Sequence, residues 1–293
     1  MAKILFDFDG VLTEQSEEAD RVLEIFCERL SERAGLSSDT AAGVVAEAER
    51  ALKGAPWNYG WMSHGRVSAF ANEDLFIRNN GIAAWLDSAA ESGHPMLASA
   101  RTRLEGGGHG SFTNLCRESY DTMAGETRAG ARHPVDPDAG PLLRSLLDAG
   151  HYLVVVSNSG TSRILALLQE VGVPALEHAG DGSGAMRIRG GARKYDLDET
   201  SSCFEAGPYR IETIRPVYEK ILREERPDLV IGDVVTLDLA LPIRLAREKV
   251  IPSARVLLRV RDYTPEWSRS FIEREVEGAR AITKLEEILS LLP

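Results

Sequence analysis

Several things are scarce in this 293-residue sequence. It holds three cysteines, Cys27, Cys116 and Cys203, widely separated and without a CxxC pair. That usage excludes a disulfide framework and a cysteine zinc site, and it fits a reducing compartment. Positive charge is short: 34 Lys and Arg against 45 Asp and Glu leave a net charge of −11. Such a surface repels phosphate polymers and anionic lipid heads, so neither nucleic acid nor a membrane surface is an expected partner. A small anionic substrate is not forbidden, because a metal or a local cation reverses the field inside one pocket. No apolar run approaches the ~20 residues that cross a bilayer. The opening MAKILFDFDG has neither the apolar stretch nor the cleavage site of a signal peptide. A cytoplasmic protein is expected. Repeats and low-complexity tails are missing, the six histidines show no HExxH spacing, and the run Gly106-Gly107-Gly108-His109-Gly110 lacks the GK[ST] ending of a phosphate-binding loop.

What is present is ordinary globular composition, 43% hydrophobic and 27% charged, at a length that suits two domains or one domain with an insertion. Lys3 to Phe8 is a short apolar run ending in acid and glycine, as in a buried strand with a loop at its carboxyl end. From Glu14 to Pro134 the pattern is helical, with Val22, Leu23, Ile25, Phe26 and Leu30 at helical spacing and Gly35 as a stop. Further helices are expected at Ser38–Leu52, Val67–Ile77 and Ile82–Ser92, followed by loop-rich pieces and no clear strand. Trp57-Asn58-Tyr59-Gly60-Trp61 is an aromatic cluster in this block, most simply part of its core. After Pro134 the sequence alternates. Helix Pro141–Ala149, strand Tyr152–Val156, helix Arg163–Val171, a hairpin over Met186–Leu197, helix Pro216–Glu225, strand Leu229–Ile231, helix Leu237–Ala246, strand Val256–Val260 and helix Leu285–Leu292 follow in turn. Alternation of this kind predicts an α/β fold, a Rossmann-like doubly wound parallel sheet, with a mainly helical block inserted. The expected division is 1–14 with 134–293 as the core, and 15–133 as the insertion.

Ligands of such sheets bind at the carboxyl ends of strands. Three expected strand ends carry polar clusters: Asp7-Phe8-Asp9-Gly10, Ser157-Asn158-Ser159-Gly160, and Gly232-Asp233 with Asp238 five residues on. Carboxylates at i and i+2 leave a strand on one face, about 7 Å apart. Gathered into one pocket they resist ionisation unless a cation intervenes, and a hard divalent ion with oxygen ligands, such as magnesium, answers that need. A hydroxyl and free backbone N–H groups at a helix start, as at Ser157 and Asn158, suit an anion.

Together these segments resemble the haloacid dehalogenase superfamily. Asp7-Phe8-Asp9-Gly10-Val11-Leu12-Thr13 is similar to its first motif, Val154–Asn158 to its second, and Gly232-Asp233…Asp238 to its fourth. The resemblance implies that Asp7 is the nucleophile, forming an aspartyl-phosphate, and Asp9 the general acid/base. It implies that Ser157, Asn158 and Gly10 meet the substrate, and that Asp7, Asp9 (through its carbonyl), Asp233 and Asp238 serve a Mg2+ site. The third motif departs from the pattern: an arginine, Arg215, precedes the proline of the helix leading to the fourth motif, where the family has a lysine. Lys194 and Arg215 are equal candidates for the basic role, with Arg210 behind them. The inserted block stands where the family carries a helical cap. The implied activity is hydrolysis of a small soluble phosphorylated metabolite. A 2-haloacid dehalogenase is the alternative, disfavoured by Asp9 because halide needs no proton; a catalytically silent binding or regulatory protein is the third reading.

Overall fold

A computed structural model of the chain describes residues 1–128, 134–251 and 255–292. In chain order the elements are β1 (Lys3–Phe6), α1 (Ser16–Glu32), α2 (Ser38–Gly54), β2 (Gly60–Ser63), β3 (Arg66–Phe70), α3 (Leu75–Glu91), α4 (Pro95–Gly106), α5 (Phe112–Arg128) and α6 (Ala139–Asp148). Then come β4 (Tyr152–Val156), α7 (Thr161–Glu170), β5 (Ala175–Leu176), β6 (Met186–Arg189), β7 (Cys203–Ala206), β8 (Tyr209–Glu212) and α8 (Pro216–Glu225). The last are β9 (Leu229–Gly232), α9 (Ala240–Arg247), β10 (Arg255–Arg259), α10 (Glu266–Glu275) and β11 (Arg280–Ile282).

The described residues divide into two compact units, Met1–Glu14 with Ser63–Ala69 and Pro134–Pro293, and Gln15–Met62 with Phe70–His133. In the first, seven strands form one sheet in the order β11-β10-β9-β1-β4-β6-β5, every pairing parallel. This is the α/β class the alternating pattern predicts. Short strands such as KILF, YLVVV and LVIG are nearly uninterrupted apolar runs because helices cover both faces of a parallel sheet. Ile4, Phe6, Val155, Ile188 and Ile231 pack with Leu143 and Leu146 of α6, Ile164 and Leu168 of α7, and Leu285 and Ile288 of a closing 3-10 turn. β1 lies at the centre, flanked by β4 and β9, so the three polar strand ends named above sit side by side.

The second unit is a cluster of α1 to α5 around Val22, Phe26, Leu30, Val45, Leu86, Leu97 and Leu115. Three sequence expectations are corrected here. Val67–Ile77 is not a helix: Arg66–Phe70 is a strand of the β2–β3 hairpin, and α3 starts at Leu75 after Asp74, whose side chain accepts from Phe76 N and Ile77 N. The stretch after Ser92 is not loop-rich but holds α4 and α5. Its glycines begin at Gly106, the last residue of α4. The start of α5 is capped twice, Asn114 N donating to Ser111 Oγ at 3.1 Å and Phe112 N and Thr113 N to Asp87 of α3. The Asp87 part of that cap leaves no local signature. In the first unit, Met186–Leu197 is not a hairpin: β6 joins the central sheet beside β4, and the antiparallel pair is β7–β8. Tyr59 packs against the helical core, with Trp57 and Trp61 half-buried. The last residues of the expected insertion, 129–133, lie outside the described residues. Among the described residues no helix is long and apolar enough to cross a membrane.

Candidate active site

β1 delivers Asp7 at its end, where Asp7 N still donates to Ile231 O at 2.8 Å and continues the ladder with β9. The chain then turns sharply: Leu12 N donates to Phe8 O and Gly10 N to Thr13 Oγ1. Gly10 takes a φ of +83°, and a Cβ there would stand 2.0 Å from Asp233 Oδ2. Gly232, ending β9, is needed likewise, because a Cβ would lie 2.2 Å from Cβ of Asp238. Two bare α-carbons thus let Asp233 and Asp238 close on the turn.

Carboxylate oxygens of Asp7, Asp233 and Asp238 all lie within 4.8 Å of one another, and all three residues are buried. Asp238 sits in a single π-helical turn, Val235–Leu239, a distortion often found at functional sites. Its Oδ2 accepts from Val234 N at 3.0 Å, which fixes its rotamer. Lys194 comes in from the loop after β6, with Nζ donating to Asp7 Oδ1 at 2.6 Å and to Asp238 Oδ1 at 2.9 Å. Its side chain is 1% exposed. The loop is held by Asn158, whose Oδ1 accepts from Lys194 N at 2.7 Å, and by Ala192 N donating to Ser157 O. Nζ also lies 5.2 Å from the centre of the Tyr218 ring, and the Tyr218 hydroxyl donates to Asp238 O.

Electrostatically the cluster has more negative than positive charge. Burial pushes the Asp7 carboxyl well above the ordinary carboxylate range, and Asp238 and Asp9 push the same way against the pull of Lys194. Burial alone would lower the Lys194 ammonium, but Asp238 and Asp7 overcome it and hold it above its usual value. Burial likewise raises the Tyr218 phenol, so it stays a donor. Three buried acids around one ammonium are a donor set that fits a hard divalent cation.

The two equal candidates for the third-motif role prove to be placed differently. Lys194 bridges two of the acids. Arg215 is fully buried but points its guanidinium at backbone: it donates to Lys194 O, to Ser68 O at 2.7 Å, to Ser68 Oγ at 2.9 Å and to Glu212 O at 3.3 Å. Its place is under the Lys194 loop rather than at Asp7. Arg210 is 62% exposed and pairs with Glu212, away from the cluster.

Asp9 is not part of the acidic cluster by its side chain. Its Oδ2 accepts from Ser159 Oγ at 2.6 Å and Ser157 Oγ at 3.2 Å, and its Oδ1 from Arg163 Nη1 at 2.7 Å. A sharp turn, not a continuing strand, follows Asp7, so the simple i, i+2 alternation does not hold. Sequence reasoning gave no role to Ser159, Arg163 or Tyr218, nor to Tyr263, whose hydroxyl donates to Asp233 Oδ2 at 3.0 Å. Ser159 and Arg163 carried a faint signal, being four apart at a helix start beside the second cluster. Tyr263 carried none, since 30 residues separate it from its partner.

A family model described as haloacid dehalogenase-like hydrolase matches residues 2–191. No curated protein matches the sequence significantly. Among solved structures, the chain is similar to the HAD-hydrolase YfnB from Bacillus subtilis bound to magnesium, with 16% identity over 99% of this chain and 98% of that one and a TM-score of 0.48. It is similar to a 2-haloacid dehalogenase from Pseudomonas syringae, with 14% identity, coverage of 99% and 98%, and a TM-score of 0.44. It is also similar to a predicted phosphoglycolate phosphatase from Haemophilus somnus, with 13% identity, coverage of 99% and 97%, and a TM-score of 0.48.

Proposed function

Since the chain belongs to the haloacid dehalogenase-like hydrolases, we propose that it hydrolyses the phosphate monoester of a small soluble molecule, with magnesium as cofactor and Asp7 as nucleophile. The observation that carries the reading is the buried contact of Lys194 Nζ with Asp7 and Asp238 inside a set of three convergent acids. Asp7, Asp233 and Asp238 would hold the ion, with the Asp9 carbonyl. Bound there, magnesium supplies the positive charge that keeps Asp7 ionised and screens it from an anionic phosphate.

An Asp7 oxygen attacks phosphorus while the bond to the ester oxygen breaks. Asp9 gives its proton to that oxygen, and the alcohol departs. Asp9 then takes a proton from water, whose oxygen attacks phosphorus and breaks the bond to Asp7, releasing phosphate. Ser157 and Asn158 follow the end of β4. There Asn158 N would donate to one phosphoryl oxygen, and the Ser157 hydroxyl, now on Asp9 Oδ2, would turn to another. Lys194 neutralises the charge that gathers at Asp7. Asp9 also separates this chemistry from halide displacement, which needs no proton donor. A cytoplasmic location belongs to the same reading, supported by three free cysteines.

Purified protein with magnesium is expected to hydrolyse p-nitrophenyl phosphate, to lose activity in a chelator, and to lose it wholly as Asp7→Asn with its circular dichroism unchanged. Release of chloride from 2-chloropropionate without turnover of any phosphate ester would overturn the proposal.

A further inference from the structure

In the proposed reaction Asp9 carries a proton in both half-reactions, and the motif segments contribute one of its side-chain contacts, from Ser157. Four contacts hold that side chain. Ser159 Oγ donates to Oδ2 at 2.6 Å, Ser157 Oγ to Oδ2 at 3.2 Å, Arg163 Nη1 to Oδ1 at 2.7 Å, and the same Nη1 reaches Ser159 Oγ at 3.2 Å. Ser159 and Arg163 stand four residues apart across the start of α7, so they project on one side. Each is 8% exposed. The guanidinium also lies 6.0 Å from the centre of the Phe8 ring.

The placement is unfavourable for the helix itself. Arg163 is the third residue of α7, where the aligned peptide dipoles repel a cation. It adds nothing to the apolar stripe of Ile164, Leu167 and Leu168 that anchors α7 to the sheet. A buried, planar fork whose Nη1 meets both Asp9 Oδ1 and Ser159 Oγ suits the orientation of a carboxylate.

We infer that Arg163 and Ser159 are positioning residues for Asp9, holding its carboxyl group where it meets the leaving oxygen. The inference rests on the phosphatase reading above. Neither residue touches the reacting atoms. Both act through Asp9: as the phosphorus–oxygen bond breaks, the proton on Asp9 passes to the ester oxygen, and an unheld carboxyl group misses that line. An alkoxide leaving group depends on this proton, whereas p-nitrophenolate leaves without it.

The test compares kcat/KM, which covers the steps up to the aspartyl-phosphate, for glycerol phosphate and p-nitrophenyl phosphate at saturating magnesium. Arg163→Ala is expected to reduce the glycerol phosphate value about tenfold more than the p-nitrophenyl phosphate value. Ser159→Ala is expected to do the same to a smaller degree, and Arg163→Lys to recover part of the loss. In an Asp9→Asn background Arg163→Ala is expected to add nothing. Should Arg163→Ala fail to fold, Arg163→Lys and Ser159→Ala carry the comparison. Equal losses on both substrates, or full additivity with Asp9→Asn, would overturn the inference while leaving the phosphatase reading intact. A native protein that turns over neither ester removes that reading, and the inference with it.

Discussion

Replacing Lys194 with methionine isolates the electrostatics of the cluster, because the side chain keeps its approximate length and loses its charge. In the native protein one ammonium bridges Asp7 and Asp238 at 2.6 and 2.9 Å. Without it, two buried carboxylates face each other across no more than 4.8 Å. At an effective dielectric of about 20 this repulsion alone is about 3.5 kcal/mol. It agrees with the ~3–5 kcal/mol typical for removing one partner of a buried ion pair. At ~2–4 °C per kcal/mol, Tm should fall by about 10 °C in a chelator at pH 8. Asp7 binds its proton more tightly folded than unfolded, so its contribution is fully present below the ordinary carboxylate range and is lost as pH rises through the raised folded value. Lys194 moderates that loss. The gap between Lys194→Met and the native protein should therefore be widest at pH 8 and close as the solution is acidified. Differential scanning calorimetry at several pH values, without metal, reads this directly. A variant as stable as the native protein at pH 8, or a gap that widens in acid, would refute the reasoning.

Three other substitutions probe the surrounding scaffold. Gly10→Ala should abolish magnesium binding in calorimetric titration while the far-ultraviolet spectrum persists, since its Cβ collides with Asp233 and only the turn, not the sheet, must shift. Tyr263→Phe removes one hydrogen bond to Asp233 Oδ2 and should weaken magnesium affinity about tenfold, with kcat restored at high magnesium. Arg215→Met leaves buried carbonyls of Lys194, Ser68 and Glu212 without their donor. It should cost about 3–5 kcal/mol in denaturant unfolding and lower kcat more than it raises KM.

The parallel core was legible because its strands are short and apolar and most of them alternate with helices. The acids at their ends were legible because a doubly wound sheet gathers strand ends on one edge. What escaped was set by distance along the chain. Nothing local says that Lys194 rather than Arg215 reaches Asp7, because a loop held by Asn158 decides it. The strand at Arg66–Phe70 read as helix since Val67, Ala69 and Phe70 fit either period over so short a run. Met186–Arg189 read as half a hairpin because glycines follow it, yet it pairs in parallel with β4, some thirty residues upstream, and with β5.

The central position of β1 bears on how the molecule comes into being. Lys3 pairs with Tyr152, and Ile4 with Leu229. During synthesis at ~5–20 residues per second, about 150 residues must follow β1 before its first neighbour exists, roughly 7–30 s. For that interval an apolar strand with two vacant edges is exposed on the nascent chain, an aggregation hazard that invites chaperones. The second flank arrives only with β9, so the strand that ends at Asp7 is enclosed long after it is synthesised.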